Sequence, residues 1–149
     1  MKLWIFILSA TLLLSCSENR FDASVLNFEL HLANTESGPD LKQMNLYRTD
    51  QNFFVDSFIY LTSDDVKSAE VIEWETQPKV IVKLNERGRN RFAAFTLRHV
   101  GKNAAMIVDH ELVSAPRINA QITTGELIIV GFFSYKEAVG IANGIVKKE

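Results

Sequence analysis

Three consecutive side chains, Asp109, His110 and Glu111, are the most suggestive of chemistry in this sequence. Two carboxylates beside an imidazole could bind a metal ion or transfer protons. On extended backbone, however, successive side chains point to opposite faces, so His110 would face away from both acids. A two-residue hairpin turn needs positive φ at both positions, which His adopts less readily than Asn or Gly. The triplet therefore favours a hairpin tip, with a metal or acid–base site as the alternative.

A stripe of basic side chains on a predicted helix is the second candidate site. Three arginines fall within about 40° of one another at about 100° per residue, and a lysine follows the helix end. These residues are Arg87, Arg91, Arg98 and Lys102. Such a stripe could contact anionic lipid headgroups or an acidic partner segment, although most are solvated helix faces. His99 is expected to cap this helix, with a pH-sensitive contact as the alternative, and the helix dipole would favour the charged imidazole.

Other chemical motifs are missing from the sequence. It has no serine-nucleophile motif, phosphate-binding glycine loop or paired metal-ligand motif, and its three histidines fall in different predicted elements. We therefore predict a noncatalytic protein that has no metal site and no cofactor.

The elements that would position these residues alternate between strands and helices. Strands are predicted over 25–32, 53–61, 79–84, 104–108 and 127–133. Helices are predicted over 64–72, over 85–100 and from Ser134 onward. His31 falls on the polar face of the first strand, and Gly88, Phe92, Thr96 and Val100 form the expected core face of the long helix. This order predicts an α+β fold in which two main helices pack on a mixed or antiparallel sheet.

The N-terminal fifteen residues are typical of a processing segment. Lys2 precedes a run of twelve mostly apolar residues, too short for a bilayer span of about 20 residues. The run ends in Leu-Leu-Ser-Cys, which resembles the lipobox of bacterial lipoproteins and would place a lipid on Cys16. An ordinary secretory signal is the alternative. We predict a signal peptide over 1–15, a short tether over 16–23 and one domain over 24–149.

Composition limits the classes of partner. Cys16 is the only cysteine, so the mature domain would have no disulfide. Removing residues 1–15 takes away Lys2 and no acid, which leaves 15 basic and 18 acidic residues and a net charge of −3. This balance gives no general attraction to nucleic acid. The remaining 134 residues, 149 minus 15, suit one domain.

The string LNERGRNRFAAFTLRHVGKNAAMIVDHELVSAP resembles the head subdomain in the first periplasmic region of the SecD and SecDF protein-export proteins. The matching positions include Asn85, Gly88, Phe92, Thr96, Gly101, Lys102, Asp109, Ser114, Ala115 and Pro116. Upstream, the pattern L-T-x-x-D-x-x-x-A begins at Leu61. The family usually has Asp-Gly at the hairpin tip, where this sequence has Asp109 and His110.

The resemblance implies capture of emerging polypeptide. We predict a lipid-anchored, extracytoplasmic binding module that engages exported or unfolded chains near the membrane. Ser17, which follows Cys16, suggests by analogy with lipoprotein sorting an outer membrane, if the organism has one. Two alternatives stay open, namely an envelope protein that docks one folded partner and a small metal-dependent hydrolase built on the acidic triplet.

Overall fold

The computed structural model describes residues 19–74 and 77–147 of this 149-residue chain. The strands in the described part are β1 (Phe28–Asn34), β2 (Lys42–Asn45), β3 (Asn52–Val55), β4 (Leu61–Thr62), β5 (Val66–Trp74), β6 (Gln77–Leu84), β7 (Asn103–Val108), β8 (Glu111–Ser114) and β9 (Glu126–Val130). The helices are α1 (Glu86–Arg98) and α2 (Tyr135–Gly144), and a 3₁₀ turn spans Ser63–Asp65. The proposed signal peptide and Cys16 lie outside the described residues.

The larger of two antiparallel sheets curls on itself. Its strand order is β2-β3-β1-β7-β8, and β4 pairs with β1. Beyond β2, the Tyr47 N–H donates to the Leu112 carbonyl at 2.8 Å, which brings the two outer strands together. A small apolar cluster is buried on one face of this sheet and consists of Ala33, Phe53, Val55, Ala105, Ile107 and Leu112.

The smaller sheet has the order β5-β6-β9 and two unlike faces. Successive side chains alternate, so Leu127 and Ile129 on β9 are buried while Ile128 and Val130 are 46% and 41% exposed. The main core lies between the two sheets and both helices. It contains residues from every layer, among them Phe28, Leu30, Val80, Val82, Phe95, Met106, Leu127, Ile129 and Ile141. The predicted α+β fold, with two helices packed on antiparallel sheets, is confirmed.

Both helices begin at the residues that the sequence predicts. The Asn85 side chain accepts the Gly88 N–H at 2.9 Å and caps α1. At α2, Ser134 and Glu137 form a capping box in which each side chain accepts the other residue's backbone N–H. The apolar face of α2 is buried, at Ala138, Ile141, Ala142 and Ile145. α2 packs across β5 and β6.

Several local predictions are wrong. The strand predicted over 53–61 is two separate strands, β3 and β4. Residues 66–74 form strand β5, where a helix over 64–72 was predicted, because eight positions of this segment pair with β6. His31 is 6% exposed, since both faces of β1 are covered where the sheet curls. Val100 was predicted to lie in the core but is 52% exposed, and Phe95 is buried there instead. α1 ends at Arg98, so Val100 lies beyond its last turn.

The fold begins earlier in the chain than the predicted tether allows. Phe21 is fully buried, packs edge-on against Tyr47 at 5.4 Å between ring centroids, and lies against Gly140 of α2. The structure therefore places Phe21 in the core, although the sequence analysis assigned residues 16–23 to a tether.

Candidate functional site

The Asp109–His110 pair forms the tip of the β7–β8 hairpin, and that prediction is confirmed. Both residues have positive φ, 47° and 70°, as a two-residue turn between twisted strands requires. Asp109 Oδ1 accepts the Asn27 N–H at 3.0 Å. Glu111 pairs with Arg20 at 2.8 Å. Each acid of the triplet thus has a structural partner in the first residues of the fold.

A small cavity of about 170 Å³ lies beside this tip and is lined in part by His110, His31 and Glu29. His31 is held by the Asp56 carbonyl at 2.9 Å from Nδ1 and by the Glu29 carboxylate at 3.2 Å from Nε2. Among the described residues, no three His, Cys, Asp or Glu side chains are arranged to hold a metal ion. The two ring contacts give His31 a structural role.

The His110→Gly variant should be more stable than the wild type by about 1 kcal/mol, because glycine adopts φ near 70° without the steric cost of a Cβ. Urea denaturation would measure the change. The Asp109→Gly variant is the comparison, since it gains the same freedom but loses the hydrogen bond to Asn27. A His110→Gly variant less stable than the wild type would contradict the view that this residue serves only as a turn.

The four residues of the predicted basic stripe do not share one role. Arg87 Nε and Arg91 Nη1 contact the fully buried Asp65 carboxylate at 2.8 and 3.3 Å. Asp65 Oδ2 also accepts the Thr62 N–H at 3.0 Å. These contacts fasten the first turns of α1 to the 3₁₀ turn. Arg87 and Arg91 therefore act inside the fold, and the stripe does not present four free cations.

Arg98 and His99 lie at the other end of α1, beside an aromatic cluster. The His99 ring packs against Tyr60 and Phe95 with centroid distances of 5.5 and 5.1 Å. Burial, followed by the charge of Arg98, lowers the pKa of His99. The helix dipole was expected to favour the charged imidazole, whereas burial and the neighbouring Arg98 favour the neutral ring. His99 does form the C-cap of α1.

An apolar groove of about 410 Å³ runs between β9, α1 and the segment that follows β8. Its apolar wall includes Phe92, Ala104, Met106, Pro116, Ile118, Ile122, Leu127 and Ile128. Thr96 shapes it from the helix, because its hydroxyl donates to the Phe92 carbonyl and accepts the Ile122 N–H, both at 2.9 Å. The groove wall that contains Ile122 is thereby hydrogen-bonded to α1.

The edge of β9 that faces this groove has no neighbouring strand among the described residues. At Val130, the N–H and carbonyl both contact the Ser114 hydroxyl, at 3.3 and 2.7 Å, and so point away from β6. Because backbone groups alternate along a strand, those of Ile128 point the same way. β9 therefore offers a donor and an acceptor at the groove, beyond the point where Ser114 holds the two sheets together.

A polar cavity of about 440 Å³ lies close to the groove, between the 33–41 loop and the end of α1. Lys102 and Arg117 both line it, and Arg117 also lines the apolar groove. Sequence reasoning selected Lys102 but missed Arg117, which lies in an irregular segment without periodicity.

Residues 40–146 match the family model described as SecDF, P1 head subdomain. The chain belongs to this family. The SecD protein translocase subunit of Leptotrichia buccalis is 40% identical over 86 residues, which cover 57% of this chain and 21% of that protein. The SecD subunit of Rhodobacter capsulatus is 32% identical over 105 residues, which cover 70% of this chain and 18% of that protein. The SecDF P1 head-like chain thus spans about a fifth of these relatives.

Solved SecDF structures share the fold of this P1 head subdomain. The crystal structure of SecDF in a super-membrane-facing form superposes with a TM-score of 0.66 at 20% identity, covering 80% of this chain and 18% of that one. A second structure, described as a membrane component SecDF that enhances protein export, gives 0.65 at 19% identity and covers 82% and 62%. The fold extends upstream of the family match, since Phe21, Leu26 and Phe28 belong to the same core.

Proposed function

We propose that this P1 head subdomain protein is a noncatalytic binding module that engages extended segments of exported or unfolded polypeptide. The observation that carries the proposal is the open β9 edge above an apolar groove. An extended segment added to β9 would form backbone hydrogen bonds whatever its sequence, while its side chains on one face would enter the groove. Such binding suits a protein that must accept many different chains.

The other edge of the smaller sheet is a poorer acceptor. β5 carries Lys67, Glu70 and Glu73, all exposed. Charged side chains on an edge strand oppose the addition of a further strand. On β9 the exposed positions are Glu126, Ile128 and Val130, and the last two are apolar. The contrast supports β9 as the edge that binds.

The module would work outside the cytoplasm, held to a membrane by lipid on Cys16. None of the helices in the described part of the chain is long and apolar enough to cross a membrane. The support for the anchor is the lipobox-like sequence at residues 13–16. Mass spectrometry of the protein from its own cells tests it, and an unmodified Cys16 would exclude the anchor. An outer-membrane location is part of the same proposal.

The Ile128→Pro variant should bind unfolded polypeptide about five-fold more weakly, or worse, because proline removes the backbone donor that faces the groove. The β6–β9 ladder should survive, since this N–H points away from β6. Fluorescence anisotropy of the purified full-length protein with a labelled, permanently unfolded exported polypeptide would measure binding. Circular dichroism would check the fold.

The matched control is Ile128→Thr, which keeps the backbone N–H and a β-branched side chain. We expect it to retain most of the affinity. Equal binding by Ile128→Pro and the wild type would exclude strand addition at β9. In cells, a photoreactive residue at Asn119, on the groove wall, should crosslink to several exported chains. A single stoichiometric partner would favour the second candidate function.

That second candidate is the docking of one folded envelope protein. The outer face of the smaller sheet supports it, because Ile128, Val130 and Phe132 are each at least 41% exposed and succeed one another at every second position. Exposed apolar side chains grouped in this way are typical of protein interfaces. The crosslinking experiment separates the two candidates.

A further inference from the structure

Two cations converge on the polar cavity at the end of α1. Lys102 follows Gly101, and Arg117 reaches the same place from the segment after β8. An added Cβ at Gly101 would lie 3.7 Å from Arg117 Nη2. This is an ordinary contact distance and shows that the guanidinium lies beside Gly101, whose φ of +87° favours glycine. The cavity wall also holds hydroxyl and amide groups of Asn34, Thr35, Ser37 and Asn103.

Within the described part of the chain, the side-chain charges of these two residues are not paired with a carboxylate. Among the residues that the structure describes, neither Lys102 nor Arg117 forms a salt bridge, whereas Arg87, Arg91, Arg48 and Arg20 each pair with a carboxylate. Glu36 is the one acid on the cavity wall. The cavity therefore has a net positive charge and several hydrogen-bond donors. Its chemistry suits a carboxylate.

Arg117 connects this cavity to the apolar groove, because it lines both. The segment of Pro116 and Arg117 forms one side of the groove, opposite Ile128. A chain segment that lies along β9 and places an apolar side chain against Met106 and Ile118 would have its neighbouring residues close to Arg117. The groove would select for apolar side chains, and the cavity for negative charge.

We propose that Lys102 and Arg117 form an anion subsite for the bound segment, so that this module prefers extended chains in which an acidic residue lies a few positions from an apolar one. The inference rests on the proposed function and specifies its substrate class. The charges of Lys102 and Arg117 would give a preference for acidic segments. Strand addition to β9 would supply the part of the affinity that does not depend on sequence.

A peptide series tests the preference with the full-length protein. Each unstructured peptide carries one leucine and, two, three or four residues to either side, a glutamate, glutamine or lysine. At the best offset we expect the glutamate peptide to bind about five-fold more tightly than the glutamine peptide, with lysine weakest. The difference should shrink at high salt, since mobile ions screen exposed charges.

Three variants assign the preference to named residues. The double variant Lys102→Gln, Arg117→Gln should bind all three peptides with similar affinity. A double variant of Lys136→Gln and Lys147→Gln removes the same charge from exposed positions elsewhere and should keep the preference. Glu36→Gln should strengthen it, because the acid on the cavity wall is removed.

The outcomes separate this inference from the function on which it rests. Peptides that bind with equal affinity for glutamate and glutamine would overturn the anion subsite and leave polypeptide binding intact. A preference lost equally in both double variants would assign it to net charge and also overturn the subsite. No binding of any peptide would overturn both proposals.

Discussion

The Gly140→Ala variant should be destabilised by about 3 kcal/mol, although alanine is normally the better helix former. An added Cβ at Gly140 would lie 2.0 Å from the Phe21 carbonyl oxygen, which is a backbone atom and cannot rotate away. Either α2 or the 19–26 segment must move, and Phe21 is fully buried. Urea denaturation of the two proteins would measure the loss.

Asn143→Ala provides the matched control in the same helix, because Asn143 is exposed. We expect its stability to equal or slightly exceed that of the wild type. A Gly140→Ala protein as stable as this control would show that the first residues of the fold do not lie against α2 as described. Faster proteolysis before residue 27 in Gly140→Ala would identify the displaced segment.

The second large effect is expected for Asp65→Asn, at about 2 to 3 kcal/mol of lost stability. Asp65 is fully buried and receives Arg87, Arg91 and the Thr62 N–H on its two carboxylate oxygens. Asparagine keeps the volume but turns one acceptor into a donor that faces a guanidinium. Both arginines reach solvent, with side chains 59% and 47% exposed, so the loss is smaller than for a wholly buried pair.

Asp64→Asn is the control for this prediction, since Asp64 is the exposed neighbour and contacts Lys147 on the surface. We expect little change in its denaturation midpoint. Equal losses in the two variants would mean that the Asp65 contacts contribute nothing specific. Peptide binding would add a second measurement, because Asp65 fixes the start of α1 and α1 forms one wall of the groove.

The features that the sequence predicted well are set by neighbouring residues. Asn85, Ser134 and Glu137 cap helices through contacts three residues apart, and the Asp109–His110 turn depends on two φ angles. Local chemistry of this kind can be read without knowing the rest of the fold. Asn85 and Asp109 also carry the family resemblance, which the SecDF P1 head match bears out.

The failures come from distant contacts. Thr62 and Asp65 do form a capping box, but it caps only a 3₁₀ turn, because pairing with β6 draws residues 66–74 into a strand. His31 is buried because the sheet curls, which no pattern within β1 reveals. The groove and the polar cavity combine β9, α1 and residues 116–122, so their existence depends on how separate segments meet.

If polypeptide binds by strand addition as proposed, the curl of the larger sheet limits how many chains can bind at once. Its outer strands meet at Leu46 and Leu112, and charged side chains disfavour strand addition at β5, so residues 19–74 and 77–147 leave one receptive edge for each molecule. A monovalent receptor cannot propagate fibres or cross-link its cargo. If several copies are anchored in one membrane, a long polypeptide can bind to several of them in turn. The strength of its binding then depends on the number of copies per unit area of membrane.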